Sequence, residues 1–297
     1  MFFWIGFHLF ILSMLYLDLK VFHKEDKTPS LRSTTLYSLF WIGLALGFNL
    51  FIGFSLGSDS ALAFFTAYVL EKSLSIDNLF IFISIFHFFQ IDLKYQHRVL
   101  FFGILGALAF RILFILSGIA LLKEFPWMYF VFGIVLCLSA FYLYRKKGKE
   151  DFKNTLIMKV ATKLFRVDKE FHNGHFFVIR NKKFYITSLF LSLLLIEAFD
   201  VFFALDSVPA VLSITSDPFL AYTSNVFAIL GLRSLYFFLV ALNERFIHLK
   251  SAILLLLVFI GIKMILTPWL HIPNSLSLAI IGTILLGSLY LSRCSKR

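Results

Sequence analysis

The sequence predicts an all-α polytopic membrane protein, a transmembrane helical bundle of about nine spans with an inverted repeat of three helices. Three observations support this prediction. The chain has 297 residues, 60% of them hydrophobic, whereas soluble domains are about 45–50% apolar. Its apolar residues form blocks that approach the roughly 20 residues needed by a spanning helix. Its basic residues, which give a net charge of +11, lie mainly between those blocks.

The apolar blocks give the spans in order. The predicted spans are roughly residues 1–18, 36–55, 61–90, 98–122, 126–144, 185–213, 219–242, 250–267 and 275–292. The first block lacks the basic start and the small-residue cleavage site of a signal peptide, so we expect it to remain as a span. The two cysteines, Cys137 and Cys294, share no metal-binding spacing and indicate no disulfide framework.

The basic residues predict the orientation of these spans. Nearly all Lys and Arg residues outside the spans fall in one alternating set of loops, and the other set holds only Lys123. Cytoplasmic loops carry such an excess of positive charge. We therefore expect the N-terminus outside and the C-terminus in the cytoplasm, and we expect no nucleic-acid partner.

One loop, residues 145–184, is long enough to carry structure of its own. Apolar residues between Phe152 and Phe165 recur at helical spacing with lysines between them. This pattern predicts an amphipathic helix attracted to an anionic lipid surface. A tight turn or small hairpin is expected at His172–His175.

Acidic residues inside spans are costly and tend to mark ion or proton pathways. Two spans hold nearly all of them here. The third span carries Glu71, Asp77 and Asn78, and the sixth carries Glu197, Asp200, Asp206 and Ser207. When Asp77 is aligned with Asp206, Glu71 falls on Asp200 and Asn78 falls on Ser207.

The following spans repeat as well. The segment 102–106 precedes Arg111, and the similar segment 227–231 precedes Arg233. Spans three to five therefore repeat as spans six to eight, and because three is odd the second copy must be inverted. Inverted repeats with a binding site at their interface are typical of transporters. The predicted divisions are 1–55 (two spans), 56–144 (first repeat), 145–184 (cytoplasmic loop), 185–267 (second repeat) and 268–297 (last span and tail).

Helical geometry separates the acids. At about 100° per residue, Glu71 and Asn78 share one stripe, whereas Asp77 points about 120° away. Asp206 is displaced in the same way from the stripe of the sixth span. Pro209 lacks an N–H group, so we expect a break or kink in the helix beside Asp206.

The candidate ligands are all hard oxygen donors, which suit Mn²⁺, Ca²⁺ or Mg²⁺. The predicted metal-binding residues are Glu71, Asp77, Asn78, Glu197, Asp200, Asp206 and Ser207. Five carboxylates exceed the charge of one divalent ion, so protons or the cations Lys72, Arg111 and Arg233 must balance them when the site is empty. Exchange of metal for protons follows naturally. The alternative is a set of structural ion pairs, Glu71 with Lys72 or Asp200 with Arg233.

The same residues resemble the TerC family of integral membrane proteins. The resemblance covers residues 36–290 and rests on four segments. These are residues 71–78, 96–101, 196–210 and 222–236. It implies a bacterial inner-membrane protein with a LysE-like transporter arrangement, in a family associated with tellurium resistance and manganese export. Ala198 and Phe199 depart from the small polar residues expected there, but no carboxylate is lost. A carboxylate-lined site would serve the tellurite anion poorly.

The predicted function is secondary transport, with export of Mn²⁺ or Ca²⁺ in exchange for protons and no prosthetic group. ATP is not expected to drive it directly, because the chain has no phosphate-binding GxxxxGK[ST] motif. Plant relatives implied by the resemblance are linked to membrane-protein insertion, and bacterial ones to metal loading of exported enzymes. An accessory factor that acts through the loop 145–184 is therefore the alternative. An enzyme is not expected, because no span offers a catalytic constellation.

Overall fold

A computed structural model describes residues 2–17, 31–145, 156–168, 174–180, 182–242, 249–270 and 272–294. Within these ranges a few side chains, that of Asp77 among them, are not described. Residues 172 and 173 of the turn predicted at His172–His175, and the start of the predicted amphipathic helix at Phe152, lie outside the described residues; Gly174 lies in a turn with a positive φ of 81°.

The chain folds mainly into helices. They are α1 (Phe2–Leu17), α2 (Leu31–Leu56), α3 (Ser58–Phe88), α4 (Leu93–Glu124), α5 (Met128–Arg145), α6 (Leu156–Leu164), α7 (Ser188–Leu212), α8 (Pro218–Leu230), α9 (Leu232–Leu242), α10 (Leu249–Leu266) and α11 (Asn274–Cys294). Each predicted span coincides with one of these helices, except that the seventh comprises both α8 and α9. The polytopic helical prediction is confirmed.

Four helical segments of the described chain are long and apolar enough to cross a bilayer by length and composition. They are Arg32–Leu56, Leu93–Glu124, Ser188–Leu212 and Pro218–Val240. The bundle also exposes large apolar side chains on its outer faces, including Phe54 (91% exposed), Leu113 and Leu286. A contiguous apolar exterior of this kind suits contact with lipid.

The main contacts between the helices of the two predicted repeats stay the same when each helix of one repeat is exchanged for its counterpart in the other. Helix α4 packs against α7 and α3 packs against α8, while α5 packs against α10. The α5–α10 contact is reciprocal in atomic detail. A Cβ atom on Gly133 would lie 2.7 Å from the Gly261 carbonyl oxygen, and one on Gly261 would lie 2.9 Å from that of Gly133. Only glycine allows the two helices to approach so closely here.

Helix α7 continues through Pro209 without a break, so the break predicted beside Asp206 is wrong, whereas a kink there stays a prediction. A proline removes one helical hydrogen bond, and the other hydrogen bonds of the helix are sufficient to carry it across this position. The interruption occurs elsewhere, at Gly231 between α8 and α9. There the Lys72 ammonium donates a hydrogen bond of 3.1 Å to the carbonyl oxygen of Ala228.

The segment between α5 and α7 forms a small substructure that the all-α prediction did not include beyond a possible hairpin. After α6 come β1 (Val167–Asp168), β2 (Phe177–Arg180) and β3 (Lys183–Thr187). They form a sheet in the order β1-β3-β2, with β1 parallel and β2 antiparallel to β3. Strand β3 runs directly into α7, so the sheet is tied to the helix that carries the second set of acids.

Candidate functional site

The Arg111 guanidinium lies at the centre of a buried polar cluster near the midpoints of α3, α4 and α7. It donates a hydrogen bond to the Glu71 carboxylate over 2.6 Å and a second one to the Ser207 hydroxyl. All three residues are buried. Thus α4 supplies a cation that joins an acid of the first repeat to a polar residue of the second.

Two further carboxylates of α7 lie beside this pair. Asp200 and Asp206 are each within electrostatic range of the Arg111 guanidinium and of the Glu71 carboxylate. Asp200 is buried and Asp206 is half-buried. The structure therefore brings acids of the third and sixth predicted spans together around one cation.

Asn225 of α8 completes the cluster, and sequence reasoning missed it as a site residue. Its amide lies beside the Glu71 carboxylate, and it is fully buried. Neither polar atom of the amide has a hydrogen-bond partner in the described structure, and the Glu71 Oε2 atom also has none. Buried polar atoms normally have a hydrogen-bond partner, so the unpartnered amide and carboxylate oxygen indicate a bound water or ion at this position. The signal was an uncharged amide in the middle of an apolar span.

Glu197 lies at the edge of the cluster, beside Asp200. It is half-buried, and its Oε2 atom has no hydrogen-bond partner in the described structure. Its carboxylate occupies the space above Gly106 of α4, where a Cβ atom would overlap it. Gly106 thus allows a charged side chain of α7 to lie between the two helices.

The remaining predicted residue of α3, Asn78, is buried on the same stripe as Glu71 and Ser75. This burial confirms that the stripe faces the interior of the bundle. The side chain of Asp77 lies outside the described residues, so its predicted role is untested.

Of the two alternative structural ion pairs, the structure replaces that between Glu71 and Lys72, while that between Asp200 and Arg233 stays a prediction. Glu71 pairs with Arg111, whereas Lys72 reaches the carbonyl end of α8. Asp200 and Arg233 line the same small pocket, whose other walls are apolar residues of α3, α4, α7, α8 and α9. The pocket thus brings one acid of α7 and one cation of α9 to the same enclosed space.

Among the described side chains, no three acidic, histidine or cysteine groups lie close enough together to hold a metal ion in the arrangement seen. The Arg111 guanidinium itself contacts one carboxylate, that of Glu71, and one hydroxyl, that of Ser207. Asp200 and Asp206 are within electrostatic range of it.

Comparison with known proteins adds the family context. The model of the "Integral membrane protein TerC family" matches residues 56–297. An "Uncharacterized membrane protein" of Rickettsia bellii (strain RML369-C) is 42% identical over 296 residues, which covers 99% of this chain and 97% of that protein. A protein of Myxococcus xanthus, "Uncharacterized membrane protein STKORF319", is 41% identical and covers 99% and 92% of the two chains.

A third relative has a more specific name. The "Putative membrane-bound redox modulator Alx" of Escherichia coli (strain K12) is 36% identical over 292 residues, with coverage of 95% of this chain and 91% of that protein. No solved structure matches the chain.

Proposed function

The chain belongs to the TerC family of integral membrane proteins, and from this premise we propose that it is a secondary transporter that exports a hard divalent cation, Mn²⁺, in exchange for protons. The observation that carries the proposal is the buried cluster of Glu71, Asp200 and Asp206 around Arg111. Acids at this depth in a helical bundle are typical of ion pathways.

The charge of the cluster supports cation binding. The two guanidinium groups at the cluster, those of Arg111 and Arg233, do not balance its three carboxylates and the neighbouring Glu197, and burying uncompensated charge is strongly unfavourable. The carboxylates must therefore bind either protons or a metal cation. Exchange between these two states couples metal transport to proton movement, because metal binding releases protons from its ligands.

The chemistry of the donors supports Mn²⁺ or Ca²⁺ as the cargo. Carboxylate, amide and hydroxyl oxygens are hard ligands that suit Mg²⁺, Ca²⁺ and Mn²⁺, while Cu(I) and Zn²⁺ favour thiolates and imidazoles. The unpartnered oxygen atoms of Glu71 and Asn225 supply one acidic and one neutral donor. The choice of Mn²⁺ and the direction of export follow the association of the family with manganese export.

The packing of the helices supports an inverted repeat and nine spans. Exchange of α3, α4 and α5 with α7, α8–α9 and α10 maps the observed contacts onto one another. The reciprocal approach of Gly133 and Gly261 supports a two-fold axis between α5 and α10. In such an arrangement one repeat rocks against the other around a central site, which exposes the site to each side in turn.

The distribution of basic loop residues supports the orientation, with the N-terminus outside and the C-terminus in the cytoplasm of a bacterial inner membrane. In this orientation the segment between α5 and α7 is cytoplasmic.

A second candidate function is that of an accessory factor for membrane-protein insertion or for metal loading of exported enzymes. The ordered substructure of α6 and β1–β3 favours it, since a simple connector would need no sheet. The relative named as a redox modulator suggests a third direction. Within the described residues, however, Cys137 is packed against Gly261 on α10, a position that suits helix packing.

Flux measurements in proteoliposomes test the proposal. Mn²⁺, Ca²⁺ and Mg²⁺ uptake would be compared with and without a pH gradient for the unaltered protein and for Asp77→Asn, Asp200→Asn and Asp206→Asn. Asp59→Asn is the matched control, because Asp59 lies on α3 but is exposed. We expect Mn²⁺ flux to be stimulated by the gradient, lost in the Asp200 and Asp206 variants and retained in the control.

Unchanged Mn²⁺ flux in both α7 variants would remove the cluster from the mechanism. Deletion of residues 145–184 would distinguish the two candidate functions. An accessory factor would lose its insertion or metal-loading activity, whereas a transporter would retain some metal flux.

A further inference from the structure

The hairpin formed by β2 and β3 has an apolar face that the described residues leave largely open. The antiparallel register pairs Phe177 with Ile186 and Ile179 with Phe184, and paired residues share a face of the sheet. Ile186 is buried against Ala161 of α6 and Leu191 of α7. Ile179 is 76% exposed and Phe184 is 52% exposed. The apolar face is therefore covered at its base only.

The tip of the same hairpin is basic. Lys182 lies in the turn with a positive φ of 58°, and Lys183 begins β3; both are exposed. Arg180 is directed to the side, where its guanidinium is 3.8 Å from the Asp168 carboxylate. The two lysines thus add positive charge next to the exposed Ile179 and Phe184.

The apolar face of the hairpin packs at its base against the start of α7. The Phe177 and Phe190 rings lie with their centroids 4.6 Å apart. At 100° per residue, Phe190 lies about 60° around α7 from Leu205, whose side chain is exposed on the outer face of the bundle further along the helix. The hairpin therefore lies near the side of α7 that carries exposed apolar residues.

Helix α6 shows the same combination. Val160 and Leu164 lie one turn apart on an exposed side of the helix, while Lys159 and Lys163 form the adjacent stripe. An exposed apolar stripe bordered by lysines is typical of segments that lie in the interface of an anionic membrane.

We infer that the β2–β3 hairpin inserts Phe177, Ile179 and Phe184 into the cytoplasmic leaflet and that Lys182 and Lys183 contact anionic lipid headgroups. The inference rests on the proposed orientation but not on any transport activity. A leaflet is the occupant that fits, because the apolar face packs at its base on the side of α7 that carries exposed apolar residues, and its border carries charge complementary to anionic lipid.

Site-directed spin labelling of the full-length protein in lipid nanodiscs tests the inference. In a background of Cys137→Ala and Cys294→Ser, a nitroxide would be placed at Ile179→Cys and, as the matched control, at Lys182→Cys. Collisions with oxygen report on lipid, and collisions with a nickel chelate report on water. With phosphatidylglycerol present, we expect oxygen to dominate at position 179 and the nickel chelate to dominate at position 182. Both residues are exposed, so neither label should disturb the fold.

Three outcomes would overturn the inference. Dominance of the nickel chelate at position 179 would place the apolar face in water. Protection of position 179 from both reagents would show that protein covers it. The third outcome concerns the depth of the label at position 179 in the bilayer. If this depth is the same in phosphatidylglycerol as in phosphatidylcholine, and does not change after Lys182→Gln with Lys183→Gln, the headgroup contact is excluded. Because no metal flux is measured, failure here is distinct from failure of the proposed transport.

Discussion

The ion pair between Arg111 and Glu71 should be the strongest single electrostatic contact of the described bundle interior. The Nη1 and Oε1 atoms are 2.6 Å apart and both side chains are buried. At an effective dielectric constant of about 20, two unit charges at this distance attract by about 6 kcal/mol. Desolvation offsets much of this attraction, but removal of Arg111 leaves the Glu71 carboxylate buried without its cation, which costs about 3–5 kcal/mol.

We therefore expect Arg111→Gln to lower the free energy of unfolding by about 3–5 kcal/mol. Glu71→Gln should cost less, because Asp200 and Asp206 remain within electrostatic range of the Arg111 guanidinium. The double variant should lose clearly less than the sum, because Glu71 no longer carries a charge that needs Arg111. The assay is reversible unfolding in mixed micelles, analysed as a double-mutant cycle. Lys94→Gln is the control, since Lys94 and Asp92 form an exposed pair at 4.0 Å that should contribute about 0–1 kcal/mol.

The reasoning would be refuted by additive losses, within about 0.5 kcal/mol, in the double variant. It would equally be refuted if Arg111→Gln lowered stability no more than Lys94→Gln does.

Three further predictions concern the site and the packing around it. Asn225→Ala should raise the Mn²⁺ concentration for half-maximal flux by about 10–100-fold. The loss of stability should be small, because the Asn225 amide has no hydrogen-bond partner in the described structure. Unchanged Mn²⁺ flux would exclude Asn225 as a metal donor. Gly106→Ala should displace the Glu197 carboxylate and lower Mn²⁺ flux by about tenfold, or 1.4 kcal/mol of binding, in the same assay; full activity would show that the position of Glu197 is immaterial. Gly261→Ala should lower stability by about 1–3 kcal/mol, since its Cβ would lie 2.9 Å from the Gly133 carbonyl oxygen. Gly282→Ala, on an open face of α11, should instead be neutral or stabilising by up to about 1 kcal/mol, and equal thermal shifts for the two variants would contradict the close approach.

Much of the fold could be predicted because the bilayer imposes long apolar helices that are visible in sequence. The interruption at Gly231 could not, since it depends on Lys72 reaching the carbonyl end of α8 from another helix. The break expected at Pro209 overestimated the effect of one missing helical hydrogen bond, because the rest of α7 supports the helix there.

The acids of the site were visible because charge is rare inside apolar spans. Their partners were harder to assign. Sequence adjacency favoured a pair between Glu71 and Lys72, but neighbouring residues on a helix point about 100° apart, and the structure pairs Glu71 with Arg111 of α4. Asn225 was missed because it carries no charge, and its burial beside Glu71 in the structure reveals it as part of the cluster.

Direct binding of Mn²⁺ to the purified protein tests the central claim most directly. The electron paramagnetic resonance signal of free Mn²⁺ would be titrated with the unaltered protein, with Asp200→Asn and with the exposed control Asp59→Asn. Oxygen donors around Arg111 that hold a divalent cation predict one bound ion per chain, lost in the Asp200 variant and kept in the control. Binding that is absent, or that persists equally in both variants, would contradict a cation site in this cluster.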